Sequence, residues 1–249
     1  MASGRIIQYR QIADRIEKRV TSGEFQAGRL LPSEASLSSE YGVSRVTIRR
    51  SLEALRDLGL VDSRQGYGWF VAADPVQQSL GKLRTIEEQI ERQGTKSERR
   101  ILEFAFIDAP ARAREVLGVD RVLQVERLNL ADGVPFAHVT VWCPEDLATE
   151  FSRSDVERST LYDLMPQHPA SAVQIIDAEA VSSSDSELLA IPPHSPVLVC
   201  ERISKDAAGA NVLLSRHVFP AHLTQFVVEL PHVPSSVAPS GLRLVESGE

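Results

Sequence analysis

A short basic stretch of the sequence carries side chains whose chemistry suits the reading of DNA. Arg45, Thr47, Arg49 and Arg50 follow Ser44 at intervals of one or two residues. An arginine can donate two hydrogen bonds to O6 and N7 of guanine, and a threonine can meet a thymine methyl group or a phosphate. The same residues would also suit a solvated basic face, and the arginines by themselves leave both interpretations open.

A helix must hold these side chains on one side of the chain. Ile48, Leu52 and Leu55 recur at helical spacing and form an apolar face opposite the arginines. Ser44 is a favourable N-cap, so the predicted helix runs from there to about Leu58. The arginine and threonine after the cap fall in its first turn, which is the part of a recognition helix that reaches base edges.

Two further helices precede this one. An apolar stripe predicts a first helix from about Gln8 to Thr21, and Ser33 is placed to cap a second helix that ends near Tyr41 and Gly42. Two short helices joined by a glycine turn are typical of a helix-turn-helix unit.

The residues after the third helix predict a β-hairpin. Val61 and the run Trp69–Val71 are apolar strand candidates on either side of Arg64-Gln65-Gly66-Tyr67-Gly68. A nucleotide-binding loop is disfavoured, because Gly-x-Gly is a weak signal and follows no strand-to-helix transition here. A wing that reaches phosphates or the minor groove suits these residues better.

The charge distribution supports a nucleic-acid partner for the N-terminal part alone. The whole chain has 27 basic and 34 acidic side chains, a net charge of −7. Through Ala73 there are 11 Lys and Arg against 8 Asp and Glu, a net charge of +3, and from Asp74 onward 16 against 26, a net charge of −10. A basic head on an acidic body is expected if only the head meets a polyanion, although chance could produce an excess of this size.

The stretch from Leu31 to Val71, LPSEASLSSEYGVSRVTIRRSLEALRDLGLVDSRQGYGWFV, resembles the winged helix-turn-helix of GntR-family bacterial transcription regulators. The resemblance implies that the SRxTxR residues and the wing tip read DNA. Many family members have a DNA-contacting arginine where this chain has Ala35, so Arg50 or Arg64 would carry more of the phosphate binding. The predicted DNA-binding residues are Ser33, Ser44, Arg45, Thr47, Arg49, Arg50, Arg64, Gln65 and Gly66.

The remainder of the chain predicts an α+β domain with a mainly antiparallel sheet and helices on one side. Asp132-Gly133 is a strong hairpin signal, and Ala207-Ala208-Gly209 separates another pair of strand candidates. We also predict a helix at 85–93, a helix at 159–165 and a last strand at 226–230. The predicted division is a DNA-binding domain at 1–73, a linker at 74–80, an effector-binding and dimerisation domain at 81–232 and a flexible tail at 233–249.

The order of these elements resembles the UTRA effector domain of the HutC subfamily, whose fold is similar to chorismate lyase. In relatives that bind amino-sugar phosphates, a hydroxyl residue, an arginine pair and a serine hold the anion, and Thr85, Arg127 and Ser159 match three of these positions. The second arginine is Asn129, and a late tyrosine is Phe219. Two acidic positions are also replaced, by Val139 and Leu213.

These departures imply an effector that is less polar or a smaller acid. Another interpretation of Arg127 is that it pairs with a neighbouring carboxylate. The predicted effector-binding residues are Thr85, Arg127, Asn129, Ser159, Thr160 and Phe219.

Other chemistries find little support in the sequence. Cys143 and Cys200 are the only cysteines, which is too few for a disulfide scaffold and indicates a reducing cytoplasm. His217 and His222 lack the partners of a zinc site, and the cluster Ser183–Glu187 suits helix capping. We therefore expect no metal, no cofactor and no enzymatic activity. A secretory signal and a membrane span are also not expected, because no apolar run is long enough.

The sequence as a whole predicts a homodimeric repressor that binds a pseudo-palindromic operator in double-stranded DNA and responds to a small-molecule effector. Two alternatives remain open at this point. One is a constitutive dimeric DNA-binding protein whose body only dimerises, and the other is a lyase-like enzyme with a vestigial head.

Overall fold

The computed structural model describes residues 2–64, 67–73, 76–79, 97–166 and 168–228. The N-terminal part is helical and ends in a small hairpin, whereas the C-terminal part is built on a broad antiparallel sheet. The α+β class and the order of the two parts agree with the sequence-based expectation.

The N-terminal part follows the predicted plan of helices and wing. Its first helix begins earlier than the predicted start near Gln8, and the two strands of the wing pair antiparallel from Val61 opposite Val71 to Arg64 opposite Gly68. The elements are α1 (Ala2–Thr21), α2 (Glu34–Tyr41), α3 (Arg45–Asp57), β1 (Val61–Arg64) and β2 (Gly68–Val71).

The core of this part lies where the three helices meet. Ile48, Leu52 and Leu55 of α3 are fully buried, as the helical spacing predicted, and they pack with Ile16 of α1 and Leu37 of α2. Burial of apolar side chains of this size stabilises the fold by about 1.5 to 3 kcal/mol each. The apolar face of α3 is thereby fixed inward, and its basic side chains face solvent.

The C-terminal part contains a sheet of six described strands in the order β4-β5-β6-β9-β8-β7, in which every neighbouring pair is antiparallel. Its elements are β3 (Val76–Ser79), β4 (Ser97–Asp108), α4 (Ala111–Leu117), β5 (Arg121–Ala131), β6 (Val134–Pro144), α5 (Glu145–Ala148), α6 (Arg153–Arg158), α7 (Leu161–Leu164), β7 (Ser171–Ala180), α8 (Ser183–Leu189), β8 (Pro196–Lys205), β9 (Asn211–Pro220) and β10 (Thr224–Val227).

The turn between β5 and β6 has the predicted hairpin chemistry. Asp132 and Gly133 both have positive φ angles, 49° and 80°, in the left-handed region that asparagine, aspartate and glycine tolerate best. The β8–β9 pair is likewise joined through Ala207–Gly209, as predicted.

The helices pack on both faces of the sheet, so the expectation of helices on one side was wrong. We call the face that bears Arg127, Val139 and His217 the front face; α5, α6 and α7 cover it. The opposite back face bears Leu128 and Val218, and it is covered by α4, α8 and the wing. Strand alternation permits this because β5, β6 and β9 carry apolar residues on both sides.

Three local predictions for this part need comment. The predicted helix at 159–165 begins later than predicted, because Ser159 and Thr160 are extended and α7 spans only Leu161–Leu164. The predicted last strand begins earlier, at Thr224, and pairs in parallel with β3, which lies within the predicted linker. The predicted helix at 85–93 lies outside the described residues.

Candidate functional site

Two hydroxyl groups organise the start of α3. Ser44 Oγ accepts a hydrogen bond from the Thr47 backbone N–H at 3.2 Å and lies 2.9 Å from Thr47 Oγ1. Arg45 is the first residue of the helix and Arg50 is the sixth, and both are exposed. The cap thus begins the helix and presents an arginine next to two hydroxyl groups, which are donors and acceptors suited to base edges and phosphates.

Arg49 is held by an acidic partner on the preceding helix. Its Nε and Nη2 atoms each donate a 2.9 Å hydrogen bond to the two carboxylate oxygens of Glu34, and Trp69 Nε1 donates to the same carboxylate at 3.2 Å. The guanidinium of Arg49 is the main reason why the pKa of Glu34 lies below its ordinary value. Arg49 still has 62% of its side chain exposed, so it is accessible to a ligand while it joins α3 to α2.

A groove of about 900 Å³ runs between α3 and the wing. Arg45, Arg49, Arg56 and Arg64 line it, together with two carboxylates and the predicted Ser33. Ser33 Oγ caps α2 by accepting a hydrogen bond from the Ser36 N–H at 3.1 Å. Phosphate groups are bound best by arginines, whose planar guanidinium groups can make two parallel hydrogen bonds to them.

An apolar side chain on this surface was not among the predicted site residues. Val46, the second residue of α3, has 67% of its surface exposed, between Arg45 and Thr47. An exposed valine at the start of a recognition helix is a signal that sequence reasoning could have used, since apolar groups there can meet a thymine methyl group. Gln65 and Gly66, predicted at the wing tip, lie outside the described residues.

The front face of the sheet brings several predicted effector residues together. Arg127 and Asn129 of β5 both point to this face and are almost completely buried, with 7% and 0% of their surfaces exposed. Phe219 of β9 faces the same side across β6, at a lateral distance of about 10 Å for two strand spacings. Thr85 lies outside the described residues.

The break between α6 and α7 covers this face. Arg99 of β4, which pairs with Asn129, donates a 2.7 Å hydrogen bond from Nη1 to the backbone carbonyl of Ser159. The hydroxyl of Thr160 caps α7 by accepting from the Asp163 N–H at 3.2 Å and also donates to that carboxylate. The predicted residues Ser159 and Thr160 therefore lie at the covering loop, and their backbone conformation is set by capping and by Arg99.

Strand β9 contributes polar front-face residues that sequence reasoning left out of the effector set. Ser215 and His217 are buried and lie 3.0 Å apart between Oγ and Nε2, and the His217 ring stacks on Phe219 at 5.8 Å between centroids. His217 stands in the same cross-strand row as Arg127, with Val139 between them. The alternation of polar residues with buried apolar ones along β9 was the available signal.

The back face holds a buried cluster of acidic and basic groups. His138 lies between Asp185 and Glu126, with Nδ1 2.6 Å from one carboxylate and Nε2 2.7 Å from the other. Burial opposes the charge on His138, but the two carboxylates prevail and raise its pKa. Nδ1 joins the ring to Asp185 of α8 and Nε2 joins it to Glu126 of β5, so His138 ties α8 to the sheet in a structural cluster.

Within the described residues, no group of three or more His, Cys, Asp or Glu side chains is arranged to hold a metal ion. In the same part of the chain, no helix combines the length and the apolar character that crossing a membrane requires. Cys200 is buried in the front-face core, and burial raises the pKa of its thiol to about 11.

Comparison with known proteins matches the N-terminal part and the C-terminal part of the molecule to two different family models. Residues 8–71 match the family model of bacterial regulatory proteins, gntR family, and residues 92–225 match that of the UTRA domain. The HTH-type transcriptional repressor NagR of Bacillus subtilis is 28% identical over 226 residues, which is 88% of this chain and 93% of the relative.

A second relative and a solved structure extend the comparison over nearly the whole chain. The HTH-type transcriptional regulator Rv0792c of Mycobacterium tuberculosis is 30% identical over 246 residues, 95% of this chain and 89% of the relative. The crystal structure of PhnF from Mycobacterium smegmatis superposes with a TM-score of 0.59 at 23% identity and covers 88% of this chain and 98% of that one. At that identity the superposition establishes a shared fold.

Proposed function

The chain belongs to the gntR family of bacterial regulatory proteins, and from this premise we propose that it represses transcription at a DNA operator under the control of a small molecule. Its gntR-type winged helix-turn-helix followed by a UTRA domain is the arrangement of the HutC subfamily, and the protein is a DNA-binding transcription regulator with an effector-binding domain. Repression follows the relative NagR, whose name describes it as a repressor.

The groove between α3 and the wing is the observation that carries the DNA part of this proposal. If α3 enters the major groove, the DNA backbone between that groove and the next passes between helix and wing. Arg45, Arg49, Arg56 and Arg64 line the groove at this place. Ser33, Ser44, Thr47 and Arg50 complete the described part of the proposed interface, and Gln65 and Gly66 remain proposed from the family resemblance.

The front face is the proposed effector site. Arg127 is a buried cation there, with Asn129 and the Ser215–His217 pair on the same face. A buried guanidinium favours an anionic ligand, and the apolar ring of Phe219, which stacks on His217, favours a ligand with an apolar part. We therefore propose a small acid as the effector, held also by Ser159, Thr160 and Thr85.

A homodimer is proposed for the assembly. In the described part of the chain β7 is an outer strand of the sheet, and it exposes Val173 and Ile175 by 48% and 43%. An outer strand with exposed apolar side chains is a ready surface for pairing with another chain. Two copies related by a twofold axis would present two copies of α3 to a pseudo-palindromic operator.

The rest of the proposal concerns the setting in which the protein acts. We place the DNA-binding domain at 1–73, the linker at 74–80, the effector domain at 81–232 and a tail at 233–249. A regulator of transcription works where the DNA is, so we propose a cytoplasmic location. We propose no catalytic role, because the cluster around His138 on the back face is committed to holding α8.

Titration of the full-length protein against DNA tests the function. Genomic fragments around the gene and random DNA of equal length are compared by fluorescence anisotropy at two salt concentrations. Non-specific binding weakens steeply with salt, so a fragment that stays tightly bound at the higher concentration supports operator recognition. Equal and salt-sensitive binding to every fragment, including fragments from elsewhere in the genome, contradicts it.

A further inference from the structure

The wing is attached to the effector domain by a buried side chain directly behind its tip. The backbone N–H of Tyr67 donates a 3.0 Å hydrogen bond to the Arg64 carbonyl and closes the turn between β1 and β2. At its other end, Tyr67 Oη lies 2.7 Å from Nε2 of His222, which is 155 residues away in sequence. One side chain therefore connects the turn of the wing, which the proposed function places at DNA, with the effector domain.

The surroundings make this contact well defined. Tyr67 and His222 each have 6% of their surfaces exposed, and their ring centroids lie 4.4 Å apart. The Phe70 ring packs edge-on against both, at 5.4 Å from Tyr67 and 5.1 Å from His222. A hydrogen bond between two buried polar groups is costly to break when no other partner replaces it.

Gly28 forms the third side of the contact. Its N–H donates to the Val71 carbonyl at 3.0 Å, and its backbone also hydrogen-bonds the ring of His222. A Cβ at this position would lie 3.0 Å from a side-chain carbon of Leu223, and the φ of +75° favours glycine. The loop before α2, strand β2 and the turn after β9 thus meet closely, and a larger residue at position 28 would require the Leu223 side chain to shift.

The turn that holds His222 continues from a strand of the proposed effector site. Along β9, His217 and Phe219 point to the front face, whereas Val218 between them points to the back face and joins the cluster that contains Tyr67 and Phe70. After Pro220 the chain turns, with the Leu223 N–H donating to the Pro220 carbonyl at 3.0 Å. A ligand that shifts the end of β9 would therefore shift His222.

We propose that the contact between Tyr67 and His222 is the joint through which the front face sets the position of the wing. The inference rests on the proposed function and names its regulation. In one state the joint holds the wing tip where it can reach DNA together with α3, and in the other state a displaced β9 turn moves it. The two sites are then coupled in both directions. If a ligand on the front face alters the wing, DNA bound at the wing must in turn alter β9.

This reciprocity allows a test that uses DNA alone as the ligand. The full-length protein is studied by hydrogen-exchange mass spectrometry with and without a duplex chosen by selection from random sequences, and exchange is followed in peptides that cover residues 211–220. Tyr67→Phe removes the hydroxyl and retains the ring. Tyr41→Phe is the matched control, since the Tyr41 hydroxyl accepts a 3.0 Å hydrogen bond from Arg19 within the head.

In the unaltered protein and in Tyr41→Phe, bound DNA should change the exchange rate of β9 amides by about fivefold or more, the lower end of ordinary coupling between sites. In Tyr67→Phe the DNA should still bind, but the change in β9 should be lost. His222→Leu should have the same effect and provides a second variant if Tyr67→Phe does not fold.

The outcomes separate the joint from the proposed function. If no duplex is selected and bound, the proposed function fails, and the joint fails with it. If DNA binds but β9 does not respond, or responds equally in Tyr67→Phe and His222→Leu, DNA binding stands and the joint is overturned.

Discussion

Arg49 and Glu34 form a two-pronged ion pair that links the recognition helix α3 to α2, with both hydrogen bonds at 2.9 Å. The same carboxylate accepts a hydrogen bond from Trp69 in the wing. Arg49 thus has a structural partner on the proposed DNA-binding surface, whereas Arg45 lines the groove as an exposed side chain at the helix start. The two arginines should therefore contribute differently to DNA binding.

We expect Arg45→Ala to lower the affinity for the operator by about 1 to 3 kcal/mol while leaving the affinity for random DNA much less affected, because it removes a base contact. Arg49→Ala should weaken binding to both kinds of DNA. Anisotropy titrations with operator and random duplexes measure the difference. Arg114→Ala, a change of equal charge on α4, is the control. If Arg45→Ala discriminates between the duplexes as well as the unaltered protein, Arg45 does not read a base.

Val46 should contact a thymine methyl group. Replacing the contacted thymine by deoxyuridine removes one methyl group and should cost the unaltered protein about 0.8 kcal/mol, the value for one buried methylene. Val46→Ala should bind the thymine operator more weakly and should no longer distinguish thymine from deoxyuridine. Leu58→Ala is the matched control, since Leu58 is also 67% exposed but lies at the other end of α3. If Val46→Ala distinguishes the thymine operator from every deoxyuridine operator as strongly as the unaltered protein does, Val46 does not contact a thymine methyl group.

Arg127→Ala should abolish the response to effector and leave operator binding intact, because Arg127 lies on the front face and does not line the groove between α3 and the wing. A panel of sugar phosphates and small carboxylic acids is screened by thermal shift, since a ligand that binds the folded state raises the melting temperature. Compounds that stabilise the unaltered protein are then added to the protein–operator complex. If these compounds still stabilise Arg127→Ala and still release it from the operator, Arg127 does not bind the effector and is instead a structural ion-pair partner.

Ile175→Glu should weaken dimerisation, because it places a charge on the exposed apolar surface of β7. Sedimentation velocity across a range of concentrations measures the ratio of monomer to dimer. Glu187→Gln, a charge change on α8, serves as the control for the method. A dimer that forms equally well in Ile175→Glu would place the interface elsewhere on the molecule.

Stability should fall in acid because of His222. Burial lowers the pKa of its imidazole from 6.5 to about 4, with a smaller contribution from Arg64. Between those two pH values the unfolded chain binds a proton that the folded protein does not, so the free energy of unfolding decreases as the pH falls from about 6.5 towards 4. From pH 7 to pH 5 this amounts to about 2 kcal/mol.

Urea unfolding of the unaltered protein and of His222→Gln at pH 7 and pH 5 measures this contribution. Other titratable or charged groups are present in both proteins, so their contributions to the pH dependence cancel in the comparison. They include Tyr67, Arg64 and Arg29 near His222, and also His138, whose raised pKa makes the fold more stable as the pH falls. The variant should lose about 2 kcal/mol less than the unaltered protein on acidification. An equal loss in both would mean that His222 takes up its proton at an ordinary pH.

Features that depend on neighbours in sequence could be predicted well. Ser33 and Ser44 begin α2 and α3 as predicted, since an N-cap bonds to a backbone group only three residues away. The burial of Ile48 and its helical partners follows from spacing alone, and so does the hairpin at Asp132. The start of α7 was predicted two residues too early, because Thr160 is the N-cap of this helix and Ser159 precedes it in an extended conformation.

The sequence by itself determined the helix-turn-helix, the wing and most of the strands, because hydrogen bonds and side-chain periodicity within one element are local. Only the tertiary structure decided which face of the sheet receives each helix, that His217 shares a row with Arg127, and that Tyr67 meets His222. These relationships depend on strand register and on packing between elements far apart in the chain, which no local spacing encodes.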